Sequence, residues 1–312
     1  MKRSPAEFWT SSAVVFWTAF VCCALWGSAS PSIKIGYTLF QIPSGDTASR
    51  ILFAGERFMI AGVMVIAYYS LRHHRLMTPQ KGNWKYVFAL ASMQTIMQYV
   101  FFYMGLAYTS GVRGSVITAM GTFFSIFISV FVFHFEKLTV NRVLGSIIGF
   151  LGVFSIVTAG AEVSHTPITW RGEGAVVAAA VANAISGCLI KLFSRKEDPV
   201  ILSGWQFFVG GLVMALIGKG MGGSLSPVSY KAWILLIYMG FISAGAYTLW
   251  GLLLEYNDVS RITILGFMNP VLGVLLSAVL LQEGNEIFSV RGILSMALVS
   301  LGIILANRKA AK

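Results

Sequence analysis

Ten apolar stretches follow one another along this chain, separated by short polar segments. Each is about 20 residues long, the length of helix that crosses a hydrocarbon layer roughly 30 Å thick. Hydrophobic residues make up 56% of the 312 residues and charged residues only 11%, too little polar surface for a water-soluble fold. We therefore predict an all-α integral membrane protein, with the lipid bilayer as a partner. The ten predicted transmembrane helices cover 13–33, 51–71, 86–108, 114–134, 141–160, 174–193, 200–220, 231–253, 262–282 and 289–307.

The distribution of basic residues predicts the topology. With the N-terminus inside, the inner segments carry fifteen of the 23 Lys and Arg residues and the outer segments carry eight. Because cytoplasmic loops are enriched in basic residues, we predict an inner or plasma membrane protein with cytoplasmic N- and C-termini. The net charge of +11 does not gather on one polar face, so we expect no nucleic-acid partner. Cleavage after the sequence SAS at 28–30 is an alternative, but it would remove a helix that has a counterpart later in the chain.

Four short motifs recur in the same order in the two halves of the chain. The equivalent residues are Lys34 and Lys191, Gly55 and Gly204, Phe58 and Phe207, Gly62 and Gly211, Tyr99 and Tyr247, Phe102 and Trp250, Tyr108 and Tyr256, Glu136 and Glu283, and Gly145 and Gly292. Collinear matches of this kind indicate an internal duplication, which is common in transporters. Each copy holds five spans, and an odd number means that the second copy enters the membrane from the opposite side. We predict two inverted five-helix repeats, 1–161 and 172–308, around a central cavity.

The chain resembles the EamA family of the drug/metabolite transporter superfamily over essentially its whole length. The stretches that carry the resemblance are ALWGSASPSIKIG, AGERFMIAG, FFYMGLAYTSG, FHFEKLTVNRVLGSIIGFLGV and FMNPVLGVLLSAVLLQE. The resemblance implies that helices 1–4 and 6–9 surround the cavity, with helices 5 and 10 peripheral. It also implies export of amino acids or other small metabolites. The chain departs from the family at Phe123, which stands where the second copy has Pro270.

Three residues are predicted hinges. Pro31 and Pro270 each remove a backbone donor inside a span, so the carbonyls of Gly27 and Gly266 need other partners, which water or substrate in the cavity would supply. The first copy lacks a proline equivalent to Pro270, and Gly121 is its predicted flexible point. Kinks that bind nothing are the alternative.

A transport site needs polar and aromatic groups that face one another near the membrane midplane. Gln94 and Gln98 lie four residues apart on one face of the third span, where each buried amide needs a partner or water. The other predicted substrate-binding residues at this depth are Trp26, Tyr103, Thr122, Asn183, Tyr247, Trp250 and Asn269. Alternatively, hydroxyls bond carbonyls of their own helices, and aromatic rings anchor the membrane interface.

Two adjacent charges, Glu56 and Arg57, lie in the second span. Neighbouring residues on a helix point about 100° apart and do not pair with each other. We expect Arg57, about six residues below the outer surface, to receive a substrate carboxylate, and its equivalent Gln206 to line the pathway from the inner side. Snorkelling of Arg57 to the headgroups is the alternative. Glu56 is the candidate for proton coupling, with an uncoupled facilitator or exchanger as the alternative.

Charged residues at the span ends are expected to be structural. Lys34 and Lys191 are predicted to bond carbonyls at helix C-termini, and Glu136 and Glu283 to cap the spans that follow them.

The titratable groups argue against an enzyme. The four histidines fall in loops or at a span end, so no His–acid pair, catalytic serine constellation or metal-ligand cluster can assemble at membrane depth. We therefore predict no catalytic residue, metal or cofactor. We predict a secondary transporter that exports small polar metabolites such as amino acids or organic acids by alternating access, as a monomer or weak homodimer. A multidrug or lipophilic-compound exporter is the alternative, and a membrane-embedded enzyme is a further one.

Overall fold

The computed structural model describes residues 4–109, 111–158, 168–281 and 290–307, which form helices and no strand. The helices are α1 (Pro5–Thr10), α2 (Ser12–Leu39), α3 (Thr47–Arg72), α4 (Trp84–Leu90), α5 (Gln98–Leu106), α6 (Gly111–Phe127), α7 (Val140–Val157), α8 (Ala175–Phe193), α9 (Pro199–Gly220), α10 (Tyr230–Tyr256), α11 (Val259–Leu265), α12 (Met268–Leu281) and α13 (Val290–Asn307). Three π-helical segments, Ala91–Met97, Ile128–Val132 and Trp170–Gly174, join α4 to α5, extend α6 and precede α8. Glu283 lies outside the described residues.

Eight segments of the described chain are long and apolar enough to cross a membrane. They are Ser12–Leu39, Thr47–Arg72, Trp84–Leu106, Arg113–Val132, Trp170–Phe193, Pro199–Gly220, Tyr230–Tyr256 and Val290–Asn307. These account for eight of the ten predicted spans. The fifth prediction corresponds to a shorter apolar helix, Val140–Ser155, and the ninth is divided between α11 and α12.

The most extensive helix packing joins α3 to α9 through equivalent glycines. A Cβ placed on Gly62 would lie 2.7 Å from the carbonyl oxygen of Gly204, and one on Gly211 would lie 2.7 Å from that of Gly55. Such short distances mean that only glycine allows the two backbones to approach this closely. Because Gly55 meets Gly211 while Gly62 meets Gly204, the two helices are antiparallel.

A second pair of equivalent helices, α7 and α13, packs in the same way. A Cβ on Gly145 would lie 2.6 Å from the carbonyl oxygen of Gly302, and one on Gly152 would lie 2.8 Å from that of Ser295. These helices are therefore antiparallel as well. Between the two pairs, α2 packs against α10 and α12, and its equivalent α8 packs against α5 and α6. Exchanging the two halves of the chain thus reproduces the pattern of helix packing.

The predicted span around Pro270 is broken between α11 and α12. The N–H of Asn269 donates to the carbonyl of Gly266 at 2.9 Å. The carbonyl that Pro270 was expected to leave free is therefore already paired, and the prediction that water or substrate must satisfy it is wrong. The thiol of Cys23 donates to the neighbouring carbonyl of Leu265 at 3.6 Å, so α2 covers the break.

The other two predicted hinges lie inside continuous helices. α2 runs from Ser12 to Leu39 through Pro31, and α6 runs from Gly111 to Phe127 through Gly121. The first copy changes its helical geometry elsewhere, in the π-helical segments Ala91–Met97 and Ile128–Val132. A hinge role for these residues stays a prediction.

Candidate functional site

Arg57 is buried near the middle of α3. It follows the first residue of that helix by ten positions, which is about 15 Å along a helix of 26 residues. The sequence analysis counted the depth of Arg57 from Ile51, whereas α3 begins earlier, at Thr47. Only 4% of the residue is exposed, so Arg57 does not snorkel to the headgroups.

The guanidinium of Arg57 lies among aromatic rings instead of carboxylates. Its Cζ is 4.5 Å from the centre of the Phe58 ring and 5.6 Å from the centre of the Tyr99 ring. In the described ranges Arg57 forms no ion pair, and its Nε is buried without a hydrogen-bond partner. A side-chain hydrogen bond with Tyr99 and the two rings stabilise the cation, but no carboxylate among the described residues neutralises its charge.

Equivalent residues of the two halves meet beside Arg57. The rings of Phe58 and Phe207 stack with their centres 5.4 Å apart and an angle of 5° between their planes. The hydroxyl oxygens of Tyr99 and Tyr247 lie 2.7 Å apart. The sequence identified both pairs as equivalent but did not propose Phe58, Phe207 or Tyr99 as site residues. The sequence signal was their position: Phe58 follows Arg57, Phe207 follows its equivalent Gln206, and Tyr99 is the equivalent of Tyr247.

Trp26 extends this aromatic cluster toward α2. The centre of its ring system lies 5.0 Å from that of Tyr247 and 5.0 Å from that of Trp250. Tyr103, also predicted, is buried with its ring centre 6.3 Å from that of Tyr99. The indole Nε1 of Trp26 and the amide Oε1 of Gln98 are buried, and neither has a partner in the part of the chain that the structure describes.

Gln206, the equivalent of Arg57, has a different environment. It is fully buried, its Oε1 accepts a hydrogen bond from the Thr95 hydroxyl at 2.7 Å, and its Nε2 donates to Oε1 of Gln94 at 3.0 Å. In the second copy the polar position is therefore fully paired inside the protein, whereas in the first copy the Nε of Arg57 has no partner among the described residues. Substrate contact by Gln94 and Gln206 stays a prediction, and the structure shows them bonded to each other.

The remaining predicted residues lie around this cluster or apart from it. Thr122 is buried and donates to the carbonyl of Thr263 at 3.5 Å, and Asn269 is half-buried at the start of α12. Asn183 is exposed on α8, and Glu56 is half-buried on α3. The structure gives no contact that joins these four side chains to the guanidinium of Arg57.

Polar contacts join the two halves of the chain at the end where α10 meets α11. Arg142 binds Glu136 and Asp258, each at 2.6 Å. Glu136 also accepts from the backbone N–H of Ser260 at 3.0 Å and from the Ser129 hydroxyl. Glu136 therefore caps α11 of the other half, and the prediction that it caps the span following it is wrong. Lys191 donates to the carbonyls of Leu254 and Asn257 at the end of α10, and its predicted role is confirmed.

Another ion pair joins the halves at the opposite end of the helices. Arg113 and Glu173 lie 2.8 Å apart, and Glu173 also accepts from the Thr109 hydroxyl at 2.8 Å. Ion pairs between the two halves are thus present at both ends of the bundle.

Comparison with known proteins decides the family. A model described as the EamA-like transporter family matches residues 13–158 and again residues 170–308. The chain belongs to this family. The resemblance seen in the sequence is confirmed, and the family has the two-repeat architecture.

Several relatives of this family member are named as transporters. An uncharacterized transporter of Archaeoglobus fulgidus is 27% identical over 292 residues, with 91% of this chain and 95% of that protein covered. The uncharacterized transporter YvbV of Bacillus subtilis is 24% identical, with 83% of each covered. A solved crystal structure shares the fold, with a TM-score of 0.76 and 19% identity over 95% of this chain and 98% of that chain. Family and relatives thus indicate a multi-pass membrane transporter rather than an enzyme.

Proposed function

We propose that this chain is a secondary transporter with ten transmembrane helices, built from two inverted repeats and working by alternating access. The antiparallel packing of the equivalent helices α3 and α9, and of α7 and α13, supports the inversion. In the proposed topology both termini are cytoplasmic. We also propose that the protein exports its substrate across the inner or plasma membrane. The fifteen inner and eight outer basic residues support this orientation.

The substrate class is inferred from one observation: no carboxylate among the described residues neutralises the buried charge of Arg57. Burial of a charge without a partner costs several kcal/mol, and a bound anion offsets that cost. A guanidinium binds a carboxylate through two parallel hydrogen bonds, which favours Arg over Lys for such a site. We therefore infer a substrate that carries a carboxylate.

Two further buried atoms without hydrogen-bond partners indicate which other groups the ligand carries. The Nε1 of Trp26 requires an acceptor and the Oε1 of Gln98 requires a donor. An amino acid provides the acceptor with its carboxylate and the donor with its ammonium group. A hydroxy acid provides the acceptor with its carboxylate and the donor with its hydroxyl. The surrounding rings of Phe58, Tyr99 and Tyr247 accept the apolar part of such a molecule.

A lipophilic-compound exporter is the second candidate, and the aromatic cluster favours it. The two candidates differ in whether the ligand needs a carboxylate. A screen by thermal shift in detergent, over amino acids, organic acids and their amides or esters, separates them. Carboxylates that stabilise while their neutral derivatives do not support the first candidate, and the reverse order supports the second.

Arg57→Gln tests the site, because glutamine is the residue that the second copy uses. We expect it to abolish both transport in proteoliposomes and stabilisation by the ligand. The ligand-free variant should unfold at the same temperature as the parent or a higher one, because it loses an unpaired buried charge. Arg72→Gln, at the exposed end of the same helix, is the matched control and should transport normally. Unchanged transport by Arg57→Gln would exclude the proposed role.

Glu56 supports a separate proposal of proton coupling. An acid inside a span is costly, so it is a candidate carrier of a proton between the two faces. Glu56→Gln should then transport at a rate that no longer responds to a pH gradient. A variant that keeps the pH response of the parent would show that Glu56 has no part in coupling.

A further inference from the structure

A cavity lies at the end of the bundle where α3 ends and α9 begins, which is the inner face in the proposed topology. Its volume is about 520 Å³. Residues 75–78 and 80 of the loop after α3 form one wall, and residues 194–198 between α8 and α9, with Ile201, form the other, so each half of the chain supplies one wall. The cavity is distinct from the Arg57 cluster.

Three basic side chains line this cavity without a carboxylate partner. Arg75 comes from the first half, and Arg195 and Lys196 come from the second. All three are exposed, and none forms an ion pair with another described residue. Arg195 has its Cζ 5.8 Å from the centre of the Phe135 ring, which holds the side chain while leaving its charge available.

The two acids in the cavity wall are occupied by donors of the protein itself. Glu197 is buried and accepts from the N–H of Gln80 at 2.8 Å, from Nδ2 of Asn83 at 3.0 Å and from the N–H of Asp198 at 3.2 Å. Asp198 accepts from the N–H of Val200 and from the Tyr69 hydroxyl. These bonds hold the walls together and fix the two carboxylates in place, so the lining carries three positive and two negative charges and a net charge of +1.

The cavity lining also includes one exposed apolar side chain on a well-fixed loop. Leu76 lines the cavity and is 69% exposed. The loop that carries it is fixed because Trp205 Nε1 donates to the carbonyl of Met77 at 2.9 Å and the N–H of Met77 donates to the Ser70 hydroxyl at 3.0 Å. The exposed basic groups match the negative headgroup of an anionic phospholipid, and the exposed apolar side chain beside them matches its acyl chains.

We propose that this cavity binds the headgroup of an anionic phospholipid of the inner leaflet, with its phosphate between Arg75 of one half and Arg195 and Lys196 of the other. Arginine and lysine both bind phosphate oxygens, and a ligand shared by two walls resists their separation. A bound headgroup therefore stabilises the closed inner face and makes the transporter sensitive to the lipid composition of its membrane.

Titration of the purified, delipidated protein with short-chain phosphatidylglycerol tests the proposal. The measurements use a neutral detergent and a moderate salt concentration, which screens long-range attraction. We expect phosphatidylglycerol to raise the unfolding temperature, and phosphatidylcholine and inorganic phosphate to have little effect. The double variant Arg195→Gln/Lys196→Gln should bind phosphatidylglycerol about tenfold more weakly or worse, because each basic group near the lipid contributes to binding.

The matched control is Arg72→Gln/Lys81→Gln, which removes two charges from the same face outside the cavity lining. It should bind within about threefold of the parent, since only charges close to the headgroup act strongly. Equal weakening in both double variants would overturn the proposal, because the attraction would then be general. Full stabilisation by inorganic phosphate alone would also overturn it, in favour of a site for a free anion. If the first double variant does not fold, Arg75→Gln provides the same comparison from the other wall.

Discussion

Tyr99 and Tyr247, equivalent residues in the two repeats, are joined by a hydrogen bond of 2.7 Å between their hydroxyl oxygens. Phe58 and Phe207, a second equivalent pair, stack beside them. A contact between equivalent residues lies on the axis that exchanges the two halves. The buried charge of Arg57 is therefore placed next to the symmetry axis of the bundle.

The hydrogen bond between Tyr99 and Tyr247 predicts that losses in the free energy of unfolding are not additive when the two hydroxyls are removed. Tyr99→Phe and Tyr247→Phe each leave one buried hydroxyl without its partner, which costs about 1–3 kcal/mol. The double variant removes both hydroxyls and should lose less than the sum of the two single losses. The free energy of unfolding, measured by denaturant titration in detergent, provides the complete cycle. Strictly additive losses would mean that the hydrogen bond contributes nothing.

The close contact of α3 with α9 predicts that Gly62 tolerates no side chain. Gly62→Ala places a Cβ against the carbonyl of Gly204 and forces the helices apart, at a cost of about 1–3 kcal/mol. Gly220→Ala is the control on α9, since a Cβ there would meet nothing within 4 Å. We expect the control to change the unfolding free energy by less than about 0.5 kcal/mol. Equal effects of the two changes would contradict the packing described here.

The amide network predicts that Thr95 has a structural role. Thr95→Val keeps the shape of the side chain but removes the donor to Oε1 of Gln206, which is fully buried. We expect a loss of about 1–3 kcal/mol in the unfolding free energy. Thr118→Val, whose hydroxyl bonds only the Gly114 carbonyl of its own helix, should be close to neutral. A neutral Thr95→Val would show that Gln206 finds another donor.

The cluster around Glu136 predicts that this acid contributes strongly to the stability of the fold. Glu136→Gln removes the charge that binds Arg142 at a site where the acid side chain is 3% exposed. Loss of one partner of a buried ion pair costs about 3–5 kcal/mol. Glu7→Gln changes an exposed acid of a helix cap and should cost no more than about 1 kcal/mol. The two unfolding temperatures should therefore differ clearly.

The sequence predicted the transmembrane helices well because length and apolarity are local properties. Its error at α3 has a local cause too. Thr47 and Ser49 are polar, so the apolar run begins at Ile51, yet Asp46 accepts from the N–H of Ser49 at 2.9 Å and starts the helix earlier. That difference moved the expected position of Arg57 toward the surface.

The sequence predicted which residue types belong to the candidate site better than it predicted their contacts. Buried amides and an arginine in a span signal that partners are needed, and the sequence identified Gln94, Gln206 and Arg57 on that ground. Which of them find partners inside the protein depends on the approach of α9 to the π-helical segment that contains Thr95. The break before Pro270 could be located, but the bond from Asn269 to Gly266 depends on the backbone path that the chain takes there.

The tyrosine pair also bears on how the molecule moves. In the proposed alternating-access cycle the two halves exchange conformations, so a bond between counterparts is re-formed as the same bond and need not break. The ion pair from Arg142 to Asp258 joins positions that are not counterparts, so the proposed cycle requires it to break when the molecule opens at that face. The proposal therefore places the axis of the motion at the tyrosine pair and the energetic barrier in the contacts at the two ends of the bundle.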